Sequence, residues 1–323
     1  MDGLLYILIL LFSFAVTFGF SKLLIPRLKR FGIIGNDVNK PDRPEVAEMG
    51  GIAIIAGFTA GVLLAIFLNT FFGFDFQLIP VLAGIITIHS LAFIGIVDDI
   101  IDIPQYIKAF LPLFAAIPLV ALRAVGSTAI IIPFMGEVDL GLIYVLVLIP
   151  IGIAVASNLT NMLAGFNGME AGMGIVIFSA ASLIAVSHGQ TAALLLFLPY
   201  LGALLAFIIF NWYPSKAFPG DVGNLTIGAT LATGAIIGNF ETAGALLLLP
   251  YVIDFFIKAY NRFPSSKWWG EYKDGKLYPV EGKVRGFAQL VMKLFNGISE
   301  RNLTLFFIGI EIVVAAAVLA IYL

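Results

Sequence analysis

Long apolar runs alternate with short polar stretches along the whole chain. A membrane-spanning helix needs roughly 20 mostly apolar residues, and on that ruler the sequence predicts about ten spans. They run Gly3–Leu24, Gly51–Thr70, Gln77–Val97, Ile107–Ala124, Gly141–Ser157, Gly172–Ser187, Ala192–Phe210, Leu225–Phe240, Ala243–Tyr260 and Asn302–Tyr322. The expected fold is an all-α polytopic membrane protein. The longest connection on the outer side, Val125 to Leu140, carries Gly126, Pro133 and Gly136 and is predicted to form a small hairpin.

Composition agrees with that pattern. Of 323 residues, 60% are hydrophobic and only 12% charged, with a mean hydropathy of +1.04, which excludes an ordinary soluble domain. Residues 1–323 read as a single membrane domain without repeats, whose largest polar insertion is the loop 261–301. There is no cysteine, so neither disulfides nor thiolates contribute. The first span lacks a basic leader and a small-residue cleavage site and reads as a retained helix.

Charge orients the spans. Lys and Arg collect in cytoplasmic loops. With the N- and C-termini outside, every Lys and Arg except Arg123 falls in or beside an inner loop. Those loops are 26–50, 98–106, 158–171, 211–224 and 261–301. The net charge of −2 says nothing about partners; basic residues gathered on one face favour anionic membrane lipids or a phosphate ligand, and no nucleic-acid partner is expected.

Acidic residues beside spans are costly and by default mark function. Asp98 and Asp99 close the third span, where negative charge opposes the helix dipole. Asp102, ahead of Ile103-Pro104, has as its alternative reading the cap that starts the fourth span. Asp221 in "FPGDVGN" is either a ligand or the N-cap of the eighth span. In "NLTNMLAGFNGMEAGMG", Asn161, Asn167 and Glu170 supply groups suited to a hard cation or a base edge, among glycines that let backbone approach a ligand. The sequons at Asn158, Asn224 and Asn302 face the inner side or the bilayer, out of reach of glycosylation. Pro250 predicts a kink in the ninth span, with Asp254 and Lys258 able to pair at i,i+4. His89 reads as a hydrogen-bonded packing residue. Carboxylates and carboxamides from three inner loops, beside a cationic last loop, point to metal-assisted phosphoryl transfer on a diphosphate at the inner surface. The competing class is a nucleotide-sugar or cation transporter, which typically binds at the midplane between inverted repeats; none is evident here.

The motifs "GNDVNK", "EMGG", "VDDIID" with Lys108, "NLTNMLAGFNGMEAG", "FPGD" and "SERNLTL" occur in this order at the inner ends of the spans. In this the chain resembles the polyprenyl-phosphate N-acetylhexosamine-1-phosphate transferases, most closely the eukaryotic and archaeal type that makes GlcNAc-diphosphodolichol for N-glycosylation. The resemblance implies ten helices with a cytoplasmic-face active site, and transfer of GlcNAc 1-phosphate from UDP-GlcNAc to dolichyl phosphate with release of UMP. It implies Mg²⁺, with Mn²⁺ the alternative, held by Asn161 and Asp221. Asn167 is expected to read the uracil and Phe218 to stack on it. Asp98 and Asp99 are placed where the lipid phosphate meets the diphosphate, Asp98 as base or positioning group, with Lys108 neutralising charge. Glu48 and Glu170 are expected to order the substrate site. Lys267 is the expected substitute for the Arg/His contacts that eukaryotic members make from the last loop. The bacterial peptidoglycan branch, which uses undecaprenyl phosphate, has a histidine-rich motif in that loop; the only histidines here are His89 and His188. A homodimer through lipid-facing helices fits the composition, with no residue pattern marking an interface.

Overall fold

The computed structural model describes residues 2–123, 128–132, 136–264 and 266–323. The chain opens with α1 (Asp2–Arg30), whose last turn carries Arg27, Lys29 and Arg30. The hairpin of β1 (Ile34–Asn36) and β2 (Glu45–Ala47) leads into α2 (Gly51–Phe72), and α3 (Leu78–Ile101) follows. The fourth span bends at Ala116 between α4 (Gln105–Ala115) and α5 (Ile117–Arg123). A second hairpin, β3 (Ala129–Ile132) with β4 (Gly136–Asp139), forms where the sequence predicts one. The fifth span joins α6 (Gly141–Ile143), a π-helical turn (Tyr144–Leu148) and α7 (Ile149–Met162).

Next come α8 (Met169–Ser187), α9 (Thr191–Asn211) and α10 (Gly220–Gly238). The ninth predicted span is broken into α11 (Glu241–Leu246) and α12 (Leu249–Tyr260). After a third hairpin, β5 (Gly270–Lys273) with β6 (Lys276–Pro279), the amphipathic α13 (Phe287–Leu294) precedes α14 (Glu300–Tyr322).

Among the described residues, eight helices are long and apolar enough to cross a membrane. This is a multi-pass integral membrane protein. The two remaining predicted spans differ for physical reasons. Fifteen of the 19 residues of α10 are buried, packed mainly on α3, α7 and α9. Shielded from lipid, α10 tolerates Asn224, Thr226, Thr230 and Thr233, which lower its hydropathy. The ninth span is interrupted at Leu247 and Leu248, just ahead of Pro250, where a kink is expected.

α10 seats so closely because its partners are glycines. A Cβ on Gly95 of α3 would lie 2.6 Å from the Val222 amide nitrogen, and one on Gly51 would overlap the Gly223 backbone. These contacts bring the ends of α3 and α2 onto the first turn of α10. His89 bonds Thr59 and the Ile85 carbonyl, both 2.9 Å, as a packing residue does. Arg123, the exception to the charge pattern, is buried at the opposite end of the bundle, where it bonds Asn239, Glu241 and Tyr144.

Candidate active site

At one end of the helix bundle lies a cavity of about 1100 Å³. Asp99, at the end of α3, accepts hydrogen bonds from the amides of Asp221 at 2.9 Å and Val222 at 3.4 Å. It therefore caps α10 from another helix. Neither alternative capping assignment holds: Asp221 lies one residue inside the helix, and Asp102 adopts a left-handed conformation that closes α3 instead of starting α4.

Lys108, in the first turn of α4, pairs with Asp98 at 2.5 Å and with Asp221. Asp98 is buried, also accepts the Ile103 amide at 2.8 Å, and does not line the cavity. Its place is behind Lys108, holding the ammonium toward Asp221. Asp99, Lys108 and Asp221 all line the cavity, so these sequence-predicted residues come together.

A further wall is α7, packed against α10 and α4. Asn158 and Asn161 on α7, like Asp221 and Asn224 on α10, are three residues apart, which places each pair on one helix face. All four line the cavity. The Asn161 side chain makes no hydrogen bond among the described residues, and the buried Oδ1 of Asn224 has no hydrogen-bond partner. Asn158 and Asn224 escaped notice because both sit in sequons; their i,i+3 spacing to Asn161 and Asp221 was the available signal.

Glu170 and Phe218 also line the cavity. Glu170 lies in the first turn of α8, which begins three residues earlier than predicted, and accepts the Gly165 amide. Gly165, at φ +109, turns the chain here and lies against the Trp268 ring, leaving no room for a side chain. Glu48 joins the lining from the loop after β2, and burial pushes its carboxyl above the ordinary glutamate range.

Two expected contacts are placed elsewhere. Asn167 is buried off the cavity, with both ends of its carboxamide engaged: Nδ2 donates to Asp37 at 3.0 Å, and Oδ1 accepts the Ser215 amide at 2.7 Å. Its backbone amide donates to Glu300 and its carbonyl accepts from Thr304. As placed, it ties the segments of Asp37, Ser215 and Glu300 together and presents no free base-reading edge. Lys40 sits beside it, paired with Asp37 at 2.9 Å and with Glu300. Burial works against the Lys40 charge, but Glu300 and then Asp37 outweigh it and raise its pKa.

Lys267 is exposed, pairs with Glu281, and does not line the cavity. The last loop instead contributes Trp268. Asn39 anchors that loop, accepting the Gly270 amide at 3.0 Å and donating to the Gly165 carbonyl at 2.9 Å.

Among the described residues, the cavity lining carries five carboxylates, Asp37, Glu48, Asp99, Glu170 and Asp221, against two ammoniums, Lys108 and Lys258. A surplus of hard oxygen donors, with carboxamides uncommitted beside Asp221, suits a divalent cation such as Mg²⁺. One side of the lining is apolar: Ala109, Val155, Val252, Phe255 and Phe256 come from α4, α7 and α12. Val155 and Phe256 are also exposed, so this wall opens onto the flank of the bundle.

Residues 81–239, which include most of α3, all of α7 and α10 and most of this cavity, match the family described as glycosyl transferase family 4. The chain is 39% identical over 88% of its length, and 87% of the other protein, to a Saccharolobus solfataricus protein named "Putative UDP-N-acetylglucosamine--dolichyl-phosphate N-acetylglucosaminephosphotransferase". The chain belongs to glycosyl transferase family 4. Within this family it is 29% identical, over 84% of the chain and 74% of the relative, to the UDP-N-acetylglucosamine--dolichyl-phosphate N-acetylglucosaminephosphotransferase of Saccharomyces cerevisiae. It is also 32% identical, over 74% of the chain and 76% of the relative, to the phospho-N-acetylmuramoyl-pentapeptide-transferase of Shouchella clausii.

Proposed function

We propose that the chain transfers N-acetylglucosamine 1-phosphate from UDP-GlcNAc to dolichyl phosphate at the cytoplasmic face, giving GlcNAc-diphosphodolichol and UMP. The observation that carries this reading is the cavity's division into a polar wall and an apolar wall that opens to the bundle's flank. One wall suits a nucleotide diphosphate, the other a polyprenyl chain. The names of the archaeal and yeast relatives support this choice of donor and acceptor.

The chemistry is a phosphoryl transfer. An oxygen of the lipid phosphate attacks the sugar-bearing phosphorus, the bond from that phosphorus to the bridging oxygen breaks, and UMP leaves with the electron pair. Such a displacement needs in-line positioning and charge neutralisation more than covalent help from the protein. Mg²⁺, when bound, would supply that neutralisation on the diphosphate. Asp221 and Asn161 would hold it, with Asn158 and Asn224 on the same helix faces. Lys108, fixed by Asp98, places an ammonium against the transferring group. Asp99 keeps the first turn of α10, and hence Asp221, in place. Phe218 offers its ring to the base. The sidedness rests on the Lys and Arg pattern, with seventeen of the eighteen basic residues, all but Arg123, lying in or within about a turn of the inner loops.

The test is transfer by purified protein from sugar-labelled UDP-GlcNAc, with dolichyl or undecaprenyl phosphate as acceptor. Label is expected in the lipid phase with dolichyl phosphate. No label with either lipid, from protein that still binds UDP-GlcNAc, contradicts the reading.

A further inference from the structure

Lys258 lies near the end of α12 and lines the apolar side of the cavity, beyond the turn that carries Phe255. Its ammonium pairs with Asp254 at 2.8 Å and donates to the carbonyl of Met162, the residue after Asn161. A lysine ammonium has three donors, so one remains for a ligand. Asp254 is almost fully buried, and its other oxygen accepts the Phe287 amide at 2.7 Å, at the start of α13. Lys258 is thus held at a fixed position between α7, α12 and the last loop. Unlike Lys108, it faces a single carboxylate partner.

We propose that Lys258 is the cation that seats the phosphate of the lipid acceptor, with Asp254 as its positioning residue. Val252, Phe255 and Phe256 lie on the same helix and line the same cavity, so an anionic head at Lys258 has its apolar tail beside them. Phe256 is also exposed on the flank, where a tail leaves the cavity for the bilayer. The match is to an amphiphile with a phosphate head, not to a free phosphate or a neutral lipid. The inference rests on the proposed transfer only for the identity of the acceptor.

The test is equilibrium binding to the full-length protein in detergent, comparing farnesyl phosphate, farnesol and inorganic phosphate, with UMP as a separate ligand. The wild type is expected to bind farnesyl phosphate more tightly than the other two. Lys258→Gln is expected to weaken farnesyl phosphate roughly ten- to hundredfold, the effect of losing one hydrogen bond between charged groups, with farnesol and UMP unchanged. Lys258→Arg keeps the charge and most of the preference. Asp254→Asn retains an acceptor for the Phe287 amide but releases the ammonium, and lowers the same preference with UMP affinity intact. Being read as a ratio of ligands within one preparation, the result does not depend on how much of a variant folds. A wild type that binds farnesol or inorganic phosphate as tightly overturns the proposal, as does an undiminished preference in Lys258→Gln and Asp254→Asn. Binding through Lys258 without any sugar-phosphate transfer sinks the transfer reading alone; transfer with a lipid affinity indifferent to Lys258 sinks this one alone.

Discussion

Asp99 caps α10 across a helix boundary, accepting the Asp221 amide at 2.9 Å from a position 122 residues earlier in the chain. The bond fixes the turn that carries the proposed metal ligand. Asp99→Ala is expected to cost about 0.5–2 kcal/mol, as other lost N-caps do, and to raise the Mg²⁺ concentration needed for half-maximal transfer. Thermal unfolding and a Mg²⁺ titration check both. An unchanged Mg²⁺ requirement separates Asp99 from the site's geometry.

Gly95 sets how closely α3 approaches α10. A methyl there meets the Val222 nitrogen and Cα at 2.6 and 2.7 Å, all backbone that has nowhere to go. Gly95→Ala is expected to destabilise by about 1–3 kcal/mol through overpacking, and to spread Asp99 and Lys108 from Asp221. Activity should fall more than stability alone explains, measured at a temperature where the variant is folded.

Asn167 has two roles in competition. The resemblance assigns it to the uracil, whereas the structure engages its side chain with Asp37 and Ser215. Asn167→Ala removes one of the partners of the buried Asp37, which keeps Lys40, and leaves the Ser215 amide without its acceptor, at about 1–3 kcal/mol for such a group. A clear loss of thermal stability without ligand is therefore expected. Weakened UMP binding with stability intact would instead support the base-reading role.

Glu48 predicts a pH effect. Burial raises its pKa above the ordinary glutamate value of 4.5, so the folded protein holds the proton more tightly than the unfolded chain. Its contribution is most favourable at low pH and is lost as pH rises from about that value through the raised folded one. Glu48→Gln removes the ionisation. The variant should gain stability relative to wild type as pH rises through this window, with the difference flat below it. Unfolding temperatures across a pH series check the sign.

Most of the fold was legible because lipid imposes a simple length and hydropathy rule, satisfied by eight helices. The rule weakens where protein replaces lipid: α10 carries buried threonines and an asparagine among its apolar residues, and its helix starts at Gly220, five residues before the predicted span. The site's acids were legible because a carboxylate at a span's end is costly. What each one touches was not. Asp98 and Asp99 are adjacent in sequence, yet one holds Lys108 and the other caps α10, because successive helical residues point about 100° apart. The Asp254–Lys258 pair was visible from its i,i+4 spacing, but its place on the cavity depends on how α12 packs against α7. Lys267 sits in an irregular loop with no periodicity to orient it, and it turns to Glu281 at the surface.

The central claim is that a sugar 1-phosphate moves, with its phosphorus, from the nucleotide to a lipid phosphate. The most direct measurement follows UDP-GlcNAc labelled with ³²P at the sugar-bearing phosphorus, incubated with purified protein and dolichyl phosphate, with and without chelator. The account predicts Mg²⁺-dependent ³²P in the lipid phase and unlabelled UMP in the aqueous phase. Labelled UDP in the aqueous phase, with sugar but no ³²P in the lipid, would contradict it.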